Sequence, residues 1–100
     1  MFLCNSGTEA NEASIKFARK WGNLTNGTTI LSFMNAFHGR SMGALSATPN
    51  QKYQTPFLPM LPGFVHAPYN DTEVLEQVMN DQVGGVIMEP LQGEGGSLIV

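Results

Sequence analysis

The chain has 100 residues, 42% of them apolar, which is the length of one domain and enough hydrocarbon for one core. A formal charge of −3 without any Lys/Arg cluster excludes an electrostatic footprint for nucleic acid, and no apolar run approaches the roughly 20 residues that span a bilayer. Charged residues make up only 13%, against about 25% in a typical soluble domain, so much of the exterior is expected to lie under other protein; the single cysteine, Cys4, excludes an internal disulfide framework and fits a reducing compartment.

In chain order, residues 2–4 read as an apolar stub that ends a buried strand. Asn5-Ser6-Gly7-Thr8-Glu9 then combines turn chemistry with a helix start, and Ser6 and Glu9 stand at capping-box spacing. In the helix that follows, Ala10, Ala13, Phe17, Ala18 and Trp21 fall on one face. Lys16, Arg19 and Lys20 suit its C-terminal half, and Gly22 reads as its stop. Asn26-Gly27 marks a turn before a β-rich run over 28–34. Phe37-His38-Gly39-Arg40 is a loop at the end of that strand, and 42–47 a short helix. Residues 49–62 hold four of the six prolines and predict an irregular surface excursion. A short strand over 64–67 and a helix over 72–80 follow, the latter with Val74, Leu75 and Val78 on one face. Residues 83–88 form another buried strand ending at Glu89-Pro90, and 93–96 a flexible loop before 97–100. Strands alternating with helices predict an α/β fold with a mostly parallel sheet, whose ligands gather at the carboxyl ends of strands. Each of the three glycine-bearing motifs follows a candidate strand.

The first motif, Ser6-Gly7-Thr8, runs into a helix start, where free backbone N–H groups and the helix dipole favour an anion. An ordinary capped helix would carry the same residues. No Gly-Lys-Ser/Thr element is present, which disfavours a nucleotide P-loop. In the second motif Phe37 can stack on a planar cofactor, and Arg40 offers a forked donor to a carboxylate. Taken alone, a core aromatic and a surface charge explain the pair as well. Neither His66 nor Cys4 stands at metal-ligand spacing from His38, so no metal site is expected. The third motif, Glu89-Pro90-Leu91-Gln92-Gly93-Glu94-Gly95-Gly96, ends an apolar strand on a carboxylate that needs a partner there. It then offers Glu94 on a glycine-rich loop. Two carboxylates also evoke glycoside hydrolysis, but five residues of separation on one loop makes that pairing unnatural.

In this order and spacing, Asn5-Ser6-Gly7-Thr8-Glu9-Ala10-Asn11-Glu12-Ala13, Phe37-His38-Gly39-Arg40 and Glu89-Pro90-Leu91-Gln92-Gly93-Glu94-Gly95-Gly96 resemble the class III, acetylornithine/ornithine-type aminotransferases of fold type I. Gly43-Ala44-Leu45-Ser46-Ala47-Thr48 and the stretch from Lys52-Tyr53 to Pro62-Gly63-Phe64 look like the acetylornithine branch. The resemblance implies a chain that forms part of the large domain binding pyridoxal 5′-phosphate (PLP). Gly7 and Thr8 would bind the cofactor phosphate through backbone N–H groups, and Phe37 would stack on its ring. Arg40 would take a substrate carboxylate, Glu94 would pair with a distant arginine, and Glu89 would shape the site. The implied reaction moves an amino group from acetylornithine or a similar ω-amino donor to 2-oxoglutarate, in a homodimer.

The family's Asp-Glu-x-Gln stretch, its Schiff-base lysine and its small domain do not match residues 1–100, and Lys16, Lys20 and Lys52 do not fit the lysine's place. The expectation is therefore that these residues alone do not catalyse transamination. The alternative is a non-catalytic fragment that binds an anion or associates with a partner; a third is a truncated product that does not fold stably. The family expectation for location is the mitochondrial matrix in a eukaryote and the cytoplasm in a bacterium.

Overall fold

The computed structural model describes residues 1–93 and 98–99. Helix α1 spans Gly7–Thr25 and is followed by strand β1, Thr29–Phe33. Two short helices, α2 (Met42–Ser46) and α3 (Gln51–Gln54), and a 3₁₀ turn at Thr55–Phe57 lead to β2, Phe64–Ala67. Helix α4 (Thr72–Val78) leads to β3, Val83–Val86, and a two-stranded antiparallel pair closes the order, β4 (Leu91–Gln92) with β5 (Leu98–Ile99). Strands β2, β1 and β3 form one sheet in that spatial order, and both pairings are parallel. Among the described residues no helix is long and apolar enough to cross a membrane.

Period-two alternation in β1 sends its side chains to two faces. Leu31 and Phe33 pack with Ala67, and Leu75 and Val78 of α4 close on that cluster. Ile30 points the other way, toward Ile15 and Ala18 of α1. The sheet is thus covered by α4 on one face and α1 on the other, as the α/β expectation requires. The parallel pairing also sets the carboxyl ends of all three strands along one edge, and the loops 34–41, 68–71 and 87–90 leave from that edge.

Several expectations change. Residues 2–4 form no strand, and Met1, Phe2 and Leu3 are exposed, with the Phe2 ring edge-on to Phe17 at 5.9 Å. The inward residues of α1 are Ile15 and Gly22; Phe17 and Trp21, from the apolar stripe, remain 59% and 62% exposed. Gly22 does not stop α1, which continues to Thr25 and ends where Asn26 takes a left-handed φ of 63°. The glycine is instead a contact point, since a Cβ there would overlap the Gly27 carbonyl. The excursion over 49–62 is more ordered than its prolines imply, because Asn50 caps α3 by accepting from Lys52 N–H at 3.1 Å.

Candidate active site

The site grows from the start of α1. Ser6 is its N-cap, with its hydroxyl accepting from Glu9 N–H at 3.2 Å, which is one half of the expected capping box. The Ser6 carbonyl takes Ala10 N–H at 3.1 Å. The N–H groups of Gly7 and Thr8, in the first turn, find no acceptor among the described residues. A Cβ added to Gly7 would meet nothing within 4 Å, so packing does not require the glycine, whereas an approaching anion would. The Thr8 hydroxyl faces the loop of the second motif. It accepts from Arg40 N–H at 3.3 Å, and so joins the first motif to the second.

Thr8, Asn11 and Glu12 project from one face of α1 and hold the loop that carries the second motif. Asn11 Nδ2 donates to the His38 carbonyl at 2.7 Å. The Glu12 carboxylate accepts from Ala44 N–H at 2.9 Å and from the Ser41 hydroxyl, at the start of α2. Gly39, between these anchors, has φ of 127°, and a Cβ there would run into the Thr8 hydroxyl. Other elements fix the same loop. Thr48 Oγ1 accepts from His38 N–H at 2.9 Å, Glu89 Oε1 from Phe37 N–H at 2.8 Å, and the Met34 carbonyl takes Gln92 Nε2 at 3.0 Å. With so many side-chain anchors, residues 34–41 are a braced segment without being a strand or a helix.

The half-buried Phe37 lines a cleft of about 370 Å³ with Asn35, Ala36 and residues 49–53. Arg40 is exposed, and its guanidinium carbon stands 4.9 Å from the Tyr53 ring centroid, a cation–π arrangement. It lines an adjoining depression of about 260 Å³ with Leu45, Lys52, Tyr53, Pro56 and Phe57, so Lys52 and Tyr53 form a wall common to both hollows. Gly7, Thr8, Phe37, Arg40 and Glu89 are therefore gathered at the carboxyl edge of the sheet. Glu94 lies outside the described residues. Asn11, Glu12, Thr48 and Tyr53 stand in the resembling stretches without an expected role, and Tyr69 stands in none of them; the i, i+3, i+4 polar stripe of Thr8, Asn11 and Glu12 is the one local signal of a face turned to something polar.

Two histidines stand near the site, His38 buried within the loop and His66 half-buried on β2. Burial lowers the His38 pKa, and the nearby Glu89 carboxylate partly opposes that shift. Burial also lowers the His66 pKa, with the charge of His38 adding to the effect. His66 Nδ1 lies 2.6 Å from Ser32 Oγ across the β1–β2 pairing. His38 Nε2 and Gln92 Oε1 are buried and have no hydrogen-bond partner among the described residues.

The family model for aminotransferase class-III matches residues 1–100. The chain belongs to that family. It is 55% identical over 100 residues to the mitochondrial acetylornithine aminotransferase of Neurospora crassa, an alignment covering 96% of this chain and 22% of that one. It is 50% identical over 98 residues to the acetylornithine aminotransferase of Methanocaldococcus jannaschii, covering 95% of this chain and 25% of the relative. Among solved structures, the ornithine aminotransferase of Toxoplasma gondii, in which PLP partly occupies the active site, superposes with a TM-score of 0.88 at 32% identity. That match covers 96% of this chain and 24% of the other. The chain thus spans about a quarter of the length of the curated class III aminotransferases it matches. Its α/β fold with a parallel sheet is the fold of these enzymes.

Proposed function

We propose that this chain serves as part of the large, PLP-binding domain of a transaminase that moves an amino group from acetylornithine or a similar ω-amino donor to 2-oxoglutarate. The observation that carries this reading is the Thr8–Arg40 junction. It sets two unpartnered N–H groups and the open face of Gly7 beside a loop bearing an aromatic ring and a guanidinium.

In this reading Gly7 and Thr8 donate their backbone N–H groups to the cofactor phosphate, where the α1 dipole adds attraction. Phe37 packs on the pyridine ring. Arg40 is the carboxylate receptor, and its position over Tyr53 limits the orientations it must lose on binding. Glu94 belongs to the same substrate pocket by resemblance. PLP, when bound, supplies an electron sink for the carbanion formed at the donor carbon. Lys52 lines both hollows but stands on α3 rather than at a strand end, and by resemblance none of Lys16, Lys20 and Lys52 takes the place of the cofactor's covalent lysine. A homodimer is the expected assembly. Fungal relatives are named mitochondrial and archaeal and bacterial ones are not, so the compartment follows the source.

The test is exchange of these 100 residues into the Neurospora crassa enzyme in place of its matching segment. Glutamate formation from acetylornithine and 2-oxoglutarate is then measured. We expect the chimera to turn over and the isolated chain to stay at the protein-free blank. A folded chimera that holds PLP but transfers no amino group from any ω-amino donor would contradict the reading.

A further inference from the structure

Phe37 sits on a loop outside the sheet ladder, so its ring is aimed only as well as that loop's backbone is fixed. Its N–H donates to Glu89 Oε1 at 2.8 Å, a bond spanning 52 residues of sequence. Glu89 is held in turn. The hydroxyl of Tyr69 donates to the Glu89 carbonyl at 2.7 Å and lies 3.1 Å from the Pro90 carbonyl. The Tyr69 ring is seated on the core, edge-on to Phe33 with centroids 6.1 Å apart and 77° between planes. A line of contacts therefore runs from the core to Phe37 and crosses the carboxyl ends of β2, β3 and β1 in turn.

We propose that Tyr69 and Glu89 are positioning residues that hold Phe37 at the angle needed to pack on the cofactor ring; this rests on the reading of Phe37 given above. Tyr69 has no place of its own in that reading, and it lines neither of the two hollows described above; its hydroxyl reaches the two carbonyls instead. The chain of bonds explains why a carboxylate stands where an apolar strand ends: it satisfies an N–H that a loop could not otherwise pair. The fixed ring of a tyrosine suits the first link, because packing against Phe33 leaves the hydroxyl little freedom.

Substitutions separate the links. Tyr69→Phe keeps the ring and its contact with Phe33 and removes only the donor. Glu89→Gln keeps an oxygen acceptor for Phe37 N–H, while Glu89→Ala removes it. The full chain is followed by amide hydrogen exchange at Phe37 and by equilibrium dialysis of pyridoxamine 5′-phosphate, whose amine cannot form adducts with surface lysines. One lost hydrogen bond is worth about tenfold or somewhat less. We therefore expect Phe37 exchange about tenfold faster and affinity about three- to tenfold weaker in Tyr69→Phe and Glu89→Ala, with Glu89→Gln near wild type in both readouts. Wild-type binding that survives unchanged in Tyr69→Phe and Glu89→Ala would overturn the proposal, whatever the exchange rates. A wild-type chain that binds no pyridoxamine 5′-phosphate would instead overturn the cofactor reading, and Phe37 exchange would still decide whether Tyr69 and Glu89 brace the loop.

Discussion

Glu12 and Gly43 should be strongly coupled, and a double-mutant cycle can measure how strongly. Glu12 Oε2 accepts from Ala44 N–H and the Ser41 hydroxyl, and the carboxylate lies where a Gly43 side chain would go. A Cβ on Gly43 would overlap Glu12 Oε1 and lie 3.0 Å from its carboxyl carbon. Hydrogen bonds to a charged group contribute about 1.5–3 kcal/mol each, and water replaces part of that at the half-buried Glu12, so Glu12→Ala should cost about 2–3 kcal/mol. Gly43→Ala in the wild type must displace the carboxylate. It should be destabilising by about 1 kcal/mol even after the gain of about 0.5–1 kcal/mol from Ala in a helix. With Glu12→Ala already present the obstacle is gone, and the same Gly43→Ala change should stabilise by about 0.5–1 kcal/mol. The expected coupling is therefore about 1.5–2 kcal/mol, read from urea midpoints of the four proteins at constant slope. Additivity within about 0.3 kcal/mol, or a stabilising Gly43→Ala in the wild type, would refute the assignment of Glu12 as the anchor of α2.

Gly22→Ala should destabilise by about 1–3 kcal/mol, because the new methyl meets the Gly27 backbone carbonyl rather than a movable side chain; calorimetry or denaturant titration reads this directly. Stability should also fall on mild acidification. His38 and His66 both sit below their ordinary value of 6.5 in the fold, so below that pH the unfolded chain binds protons that the native chain refuses. The contribution is complete above about pH 6.5 and is lost as pH falls from there toward the lowered native values, with a limiting slope of about 1.4 kcal/mol per pH unit per histidine. His38→Gln should flatten the upper part of that curve, and an unchanged slope would contradict the burial of a neutral imidazole.

The local signals were legible where one short segment determines the outcome. Asp71 before an apolar stripe gives α4, with its carboxylate accepting from Val74 N–H at 3.1 Å, and the β-rich run over 28–34 gives β1 nearly at its expected bounds, as the short stretch 64–67 gives β2. The glycine turn at Gly7 and the loop of Phe37 and Arg40 were legible as motifs, and the structure joins them through the Thr8 hydroxyl and Arg40 N–H. The buried face of α1 was not. Periodicity marks Phe17 and Trp21 as apolar but carries no record of which surface meets the sheet, and that choice fell to Ile15, Ala18 and the bare backbone of Gly22. The bond from Tyr69 to Glu89 and from Glu89 to Phe37 joins three loops distant in sequence. Such pairings exist only once the strands are in register, so no local pattern announces them.

If the proposed function holds, the first turn of α1 receives a cofactor phosphate. Equilibrium dialysis of pyridoxamine 5′-phosphate against pyridoxamine, on wild type and Gly7→Ala, tests it most directly. The phosphorylated compound should bind wild type, inorganic phosphate should compete for the site, and pyridoxamine should bind at least about tenfold more weakly. Gly7→Ala, whose methyl enters open space in the free chain, should leave the fold as stable or more so while losing the preference for the phosphate. Equal binding of the two compounds, or full phosphate preference in Gly7→Ala, would contradict the claim.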